Sequence, residues 1–243
     1  MADSPLVIRR RTLKLAEPYV LAQGGVVYGH NALHEAFFQT FRVALSLERP
    51  DKFAADLRFY DHALAIWHTS QSDKQQRDMA LAAMSTLPCQ TVNLKPAIAR
   101  LDWARRRADK FAEWRNIVAH NPIMFTMVPK GRMMEAQAIF GGYITRKTSR
   151  DRLAKVSGLR FWRQLRDDLL NLSEYVRRVN GHVLFLHAKK GGVDLLGAPK
   201  TWPDRPRLKC PPLIHQIEDS LGRASPTRSS RVRRRASRKS PSQ

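Results

Sequence analysis

The sequence predicts a mainly α-helical protein, a helical bundle with one β-hairpin inserted before its last long helix. Apolar residues recur at helical spacing over much of residues 31–120 and again over about 152–187. The stretch between them, about 123–145, has the composition of a strand, a turn and a second strand. With 43% hydrophobic residues, the chain can bury an ordinary core.

The N-terminal part is predicted to be an extended arm followed by two helices. Residues 1–30 mix short apolar and basic runs with Gly24-Gly25, which indicates an extended, packed arm. A helix is expected from Asn31, and a second after Pro50-Asp51. Their apolar faces comprise Leu33, Phe37, Phe41 and Ala44 in the first helix, and Phe53, Leu57, Tyr60, Leu64 and Trp67 in the second.

Two further helices are expected before the hairpin. Ser72 and Gln75 form a capping-box pattern at the start of the third helix, which Pro88 ends. The fourth helix is predicted to begin near Leu94 to Pro96 and to run to His120, where Asn121-Pro122 stops it.

After the hairpin, one long helix and two non-helical segments are expected. The helix should run from about Arg152 to His187, with Gly181 as a point of bending. The domain thus covers residues 31–190. Residues 191–222 form a Pro-rich segment, and residues 223–243 form a basic tail predicted to be disordered.

The strongest compositional signal is positive charge. The net charge is +22, and residues 223–243 contribute eight basic residues and no acidic one, so +14 belongs to residues 1–222. A basic body favours a polyanionic partner, most simply RNA or another nucleic acid. The alternative is that the basic surface reflects only solubility or Arg-rich residue usage.

The composition disfavours several other classes of protein and of site. There is no apolar run long enough for a membrane span and no signal-peptide pattern, so no membrane partner and a cytoplasmic location are expected. Cys89 and Cys210 are too few for a disulfide framework or a Cys-based metal site. His30 and His34 lack metal-site context and are expected to be surface or core histidines. Neither metal nor cofactor is therefore expected.

Arg115 is the most unusual residue of the fourth helix. On a helical projection it lies in the middle of an apolar stripe, composed of Leu101, Ala104, Ala108, Phe111, Ala112, Val118 and Ala119. A guanidinium there needs a partner, because a buried unpaired charge is costly. Two interpretations stay open: an ion pair with an acid of another helix, or a phosphate-binding group in a cleft.

His120 lies five residues after Arg115, about 140° further round an ideal helix. A charged histidine is favoured at a helix C-terminus, so His120 is either a cap or an acid–base group.

The segment Arg115-Asn116-Ile117-Val118-Ala119-His120 resembles the Arg-polar-x3-His signature of the HEPN-like proteins. The position of the signature near the end of a late helix, followed by a hairpin and a final long helix, is similar to the family over residues 30–190. The resemblance implies a homodimer in which two signature helices form one cleft. It also implies a metal-independent endoribonuclease, with a role as a toxin or defence effector and a neutralising partner protein.

In that interpretation Arg115, Asn116 and His120 are the catalytic residues. His120 would act as general base or acid, Arg115 would stabilise charge on the phosphorus, and Asn116 would orient a phosphate or the histidine. Further nucleic-acid contacts are expected from the basic and aromatic positions Arg105, Arg106, Arg107, Trp114, Arg233, Arg234 and Arg235, with Trp103 as a second stacking candidate. The alternatives are a non-catalytic nucleic-acid-binding or assembly module, and a structural protein that only dimerises.

Overall fold

The computed structural model describes residues 5–48, 57–87, 93–120, 123–130, 133–140, 159–193, 197 and 199–210. Within them the protein is mainly helical, which confirms the coarser part of the predicted fold class, a mainly α-helical protein. The helices are α1 (Pro5–Glu48), α2 (Leu57–His68), α3 (Asp73–Thr86), α4 (Lys95–His120) and α5 (Leu159–Lys190), and the strands are β1 (Ile123–Lys130) and β2 (Met133–Phe140). The described helices include no candidate membrane span.

The N-terminal region corrects one prediction. Residues 5–30 belong to the single helix α1 and do not form the predicted extended arm. Gly25 and Gly29 lie where α1 meets α5: a Cβ would stand 2.8 Å from Arg166 Cδ at the first position and 3.1 Å from Leu169 Cβ at the second. These glycines permit close helix packing, and burial against α5 outweighs their weak helix propensity.

The core is centred on the contact between α1 and α5, with α3 and α4 packed around them. The predicted apolar face of α1 is buried. On α5 the buried apolar residues include Trp162, Leu169, Leu172, Val176, Val179 and Val183. The largest fully buried side chains are Trp67, Trp114, Trp162, Phe37, Phe38, Phe111, Leu33, Met84, Leu101, Leu165, Leu169 and Leu172. Three of these lie on α4, so this helix is fixed on one side by the core.

The start of α3 is capped as predicted. The Ser72 hydroxyl accepts a hydrogen bond from the Gln75 backbone N–H at 3.3 Å. This satisfies one of the unpaired N–H groups of the first turn and places Asp73 as the first residue of the helix.

The Pro-rich segment packs along α5 over its described residues 199–210, which we call the strap. The His182 Nδ1–H donates to the Pro199 carbonyl at 2.7 Å. At the other end, Asp168 Oδ2 accepts from the backbone N–H groups of Lys209 (2.8 Å) and Cys210 (2.6 Å). The strap therefore runs antiparallel to α5 over fourteen helical positions, about 21 Å.

Gly181 does not interrupt α5, which continues through it to Lys190. A Cβ at this position would stand 3.3 Å from Pro199 Cδ, so the glycine makes room for the strap. Its role is thus in packing and not in bending.

Strands β1 and β2 pair antiparallel, from Ile123 opposite Phe140 to Lys130 opposite Met133. Several sequence predictions lie outside the described residues: the turn at 131–132, the chain at 141–158, and the tail 223–243 with Arg233, Arg234 and Arg235.

Candidate functional site

Arg115 is partly buried and has a partner on another helix. Its side chain is 24% exposed, and its Nη2 lies 3.3 Å from Asp73 Oδ2 at the start of α3. Its Nη1 donates to Asn116 Oδ1 at 2.8 Å. The predicted need for a partner is therefore met by an inter-helix ion pair, with the guanidinium still accessible from one side.

Asp73 joins three helices through one carboxylate oxygen. Its Oδ2 faces Arg115 of α4 and also lies 3.4 Å from His30 Nε2 of α1. As the first residue of α3, the carboxylate is further stabilised by the N-terminal end of the helix dipole. We call the group formed by His30, Asp73, Arg115 and Asn116 the polar junction.

His30 is the buried member of the polar junction. It is 3% exposed, and burial lowers its pKa to about 4; the positive charge of Arg115 acts in the same direction, and Asp73 opposes both. The ring is therefore neutral near pH 7. Its Nδ1 has no hydrogen-bond partner among the described residues.

The neighbouring His34 is held in one tautomer. Trp67 Nε1–H donates to His34 Nε2 at 3.1 Å, so the His34 ring proton is on Nδ1. Burial also lowers the pKa of His34. The two histidines thus belong to the packed interior beside the site.

The low pKa of His30 predicts a pH-dependent stability. The unfolded chain protonates this ring below about pH 6.5, whereas the folded ring stays neutral down to about pH 4. The free energy of unfolding is therefore expected to be highest above pH 6.5 and to fall by up to ~3 kcal/mol between pH 6.5 and pH 4. Urea unfolding followed by tryptophan fluorescence at several pH values measures this.

The matched variants are His30→Gln and, as control, His68→Gln at an exposed position of α2. The first should reduce the pH dependence over this range and leave the part that His34 contributes, and the second should leave it unchanged. Equal pH dependence in the parent and in His30→Gln would contradict the assignment.

The C-terminal end of α4 is attached to α1. Gln23 Nε2 donates to the carbonyl oxygens of Val118 at 2.7 Å and Ala119 at 3.5 Å. These carbonyls have no partner inside the helix, so Gln23 acts as a C-terminal cap. The helix ends at His120, whose side chain lies outside the described part of the chain.

The predicted basic cluster 105–107 is divided among three environments. Arg105 bonds to Asp102 (2.9 Å) and Asp78 (2.9 Å), and Asp109 lies 3.5 Å away. Three carboxylates thus surround its guanidinium, and its expected contact with nucleic acid stays a prediction. Desolvation by burial would lower the pKa of Arg105, but the hydrogen bond to Asp102 and the surrounding carboxylates raise it.

The other two arginines of the cluster have different surroundings. Arg106 is 63% exposed and pairs with Asp102 at 2.8 Å. The Arg107 guanidinium carbon lies 5.8 Å from the centre of the Trp103 ring. Their expected contacts with nucleic acid stay predictions.

The structure corrects the prediction that Trp114 contacts nucleic acid. Trp114 is fully buried, and its ring contacts Phe161 edge-on at 5.1 Å, so no base can stack on it. Trp103, the other stacking candidate, is only partly buried and lies against Tyr175.

Three residues near Trp103 were not singled out from the sequence: Arg100, Trp202 and Arg205. Two of them lie on the strap, about a hundred positions from α4 along the chain. No pattern in the neighbouring sequence predicts the contact between the strap and α4.

Comparisons of the chain with protein-family models, curated proteins and solved structures gave no match. Within the described residues, no three histidine, cysteine or acidic side chains converge in a metal-binding arrangement.

Proposed function

We propose that the protein is a metal-independent endoribonuclease of HEPN-like type, with a hairpin-containing helical bundle and with Arg115 and His120 as its central groups. The observation that carries this proposal is the setting of Arg115. Its guanidinium is partly exposed, oriented by Asp73 and Asn116, and placed one helical turn before a fixed helix end. A toxin or defence role, with a neutralising partner protein, fits such an activity.

The reaction needs no group beyond the protein and the RNA. The ribose 2′-oxygen loses its proton to a general base and attacks the adjacent phosphorus. The bond from phosphorus to the 5′-oxygen breaks, and a general acid protonates that oxygen. The products are a 2′,3′-cyclic phosphate and a 5′-hydroxyl. His120 serves as base or acid, since imidazole titrates near neutral pH.

Arg115 is suited to stabilise the transition state. Its contacts with Asp73 and Asn116 use one N–H of each terminal nitrogen, which leaves further N–H groups for phosphate oxygens. Because the guanidinium is already oriented, little reorganisation is required as charge develops on the phosphorus.

A second copy of the chain would complete the cleft. Helix α1 exposes three large apolar side chains: Val20 (56%), Leu21 (66%) and Tyr28 (66%). Gln23, within this stretch, contacts the end of α4, so the apolar residues border the signature. Burial of such a surface favours self-association, which supports the proposed homodimer.

The second candidate is a non-catalytic nucleic-acid-binding or assembly module. The observation that favours it is the Arg115–Asp73 ion pair, because a carboxylate at 3.3 Å competes with phosphate for the guanidinium. The basic body would then bind RNA without cutting it.

Cleavage of an end-labelled RNA by the purified full chain, with EDTA present, tests the proposal. The parent is expected to cut the RNA but not the same sequence carrying 2′-O-methyl groups, since those lack the attacking hydroxyl. Binding of both strands with cleavage of neither would favour the second candidate. Equal cleavage of both would exclude the 2′-hydroxyl mechanism.

A further inference from the structure

We propose that α4 and the strap form a binding surface for single-stranded RNA, apart from Arg115. We call it the Trp–Arg surface; it comprises Trp103, Arg107 and Arg100 of α4 and Trp202 and Arg205 of the strap. The choice of RNA as the strand rests on the proposed function, but the surface itself is argued from its own contacts.

The arginines of this surface lie over indole rings. The Cζ atoms of Arg107 and Arg205 are 5.8 and 5.4 Å from the centre of Trp103, and Arg100 Cζ is 5.1 Å from the centre of Trp202. Such cation–π contacts orient a guanidinium without neutralising it.

The rings themselves are fixed by α5. Trp103 packs edge-on against Tyr175, with ring centres 5.3 Å apart. Trp202 packs edge-on against His182 at 4.2 Å. The His182 ring in turn bonds to Pro199, so the strap and the aromatic rings hold each other in place. The surface is therefore ordered before any ligand arrives.

A contrast with other arginines of the protein points to an anionic ligand. Arg77, Arg105 and Arg115 each face an aspartate carboxylate within 3.3 Å. Arg100, Arg107 and Arg205 form no ion pair within the described residues; Arg100 donates only to the carbonyl of Pro96 at 3.3 Å. Their charges lie close together on the surface, and the acid beside them, Asp204, forms no ion pair with them among the described residues.

The surface continues along α4 as a shallow hollow beside Trp103. Arg106, Arg107 and Lys110 line it, together with Asp109 and Glu113. Positive side chains outnumber the acidic ones, so a phosphate backbone can follow the helix past the aromatic rings.

Planar guanidinium and indole groups, combined with positive charge, favour a single strand over a duplex. Unpaired bases can stack on these planes while their phosphates contact the arginines. A duplex keeps its base faces covered and offers only its phosphates. Trp103 and Arg115 are twelve residues apart on α4, about 18 Å, so one strand could reach both.

Fluorescence anisotropy of a labelled 2′-O-methyl RNA strand tests the surface independently of cleavage, since this strand cannot be cut through its 2′-oxygen. The full-length double variant Arg107→Ala/Arg205→Ala is expected to bind at least about 10-fold more weakly than the parent. The control, Arg163→Ala/Arg177→Ala, removes the same charge from exposed positions of α5 and should change Kd by less than about 3-fold.

A charge-preserving pair, Arg107→Lys/Arg205→Lys, separates stacking from simple attraction. Its Kd for the strand should be about 3-fold higher or more than that of the parent, because lysine cannot supply the planar group. Three results would each overturn the proposal. The alanine and control variants could lose the same affinity, the lysine variant could keep the full affinity, or the parent could bind duplex RNA equally tightly. If one of these results occurs while the parent still cleaves RNA in EDTA, only the proposal of the Trp–Arg surface is refuted. Binding as expected without cleavage would instead refute the nuclease.

Discussion

Arg115→Ala is expected to lower the rate of RNA cleavage by about 100-fold or more, which is the usual cost of removing a group that stabilises transition-state charge. The guanidinium is oriented by Asp73 and Asn116, and alanine removes both the charge and its N–H donors. Single-turnover rates with excess protein and EDTA measure the effect without interference from product release.

The loss should be catalytic and not structural. Asp73 is 40% exposed, so its carboxylate can be solvated again when Arg115 is removed. The free energy of unfolding should therefore fall by only about 1 kcal/mol. Arg178→Ala is the matched control, because it removes an exposed, ion-paired arginine of α5 that belongs neither to the signature nor to the Trp–Arg surface. Equal rate losses in the two variants would show that Arg115 acts only through net charge.

Asp168→Ala is expected to have the largest effect on stability, about 3–5 kcal/mol. Asp168 is fully buried, and its carboxylate accepts from Gln164 and from the backbone N–H groups of Lys209 and Cys210. Alanine would leave these donors without partners and release the C-terminal end of the strap. Urea unfolding gives the change in stability.

Thiol reactivity reports the release of the strap directly. Cys210 is 4% exposed, and burial, followed by the negative charge of Asp168, raises its thiol pKa to about 12. In a Cys89→Ser background, Cys210 should react slowly with a thiol reagent at pH 8 and much faster in Asp168→Ala. Glu174→Ala is the control, since Glu174 is 53% exposed and pairs with Arg178 on the same helix. Fast reaction of Cys210 in the parent would contradict the buried anchor.

The helices could be predicted where the residues that indicate a helix lie within that helix or at its end. Periodic apolar residues marked α4 and most of α5, and Ser72 marked the start of α3. Residues 5–30 of α1 were mistaken for an extended arm because Gly24-Gly25 is a poor local helix former. The compensation at Gly25 and Gly29 comes from α5, some 140 residues away, and no local pattern reveals it.

The candidate site was predictable only in part for the same reason. The position of Arg115 on an apolar stripe predicted a partner, but the identity of Asp73 depends on how α3 packs against α4. Arg105, Arg106 and Arg107 look alike in sequence, yet successive helical residues point about 100° apart. Each therefore meets different neighbours: carboxylates, solvent or an indole ring.

The most direct test of the central claim is cleavage of a DNA strand that contains a single ribonucleotide, with EDTA present, by the parent and by His120→Ala. The parent should cut only at the ribonucleotide and leave a cyclic phosphate, and His120→Ala should cut at least about 100-fold more slowly. Cleavage at deoxynucleotides, or an unchanged rate in the variant, would contradict a 2′-hydroxyl mechanism centred on the signature at the end of α4.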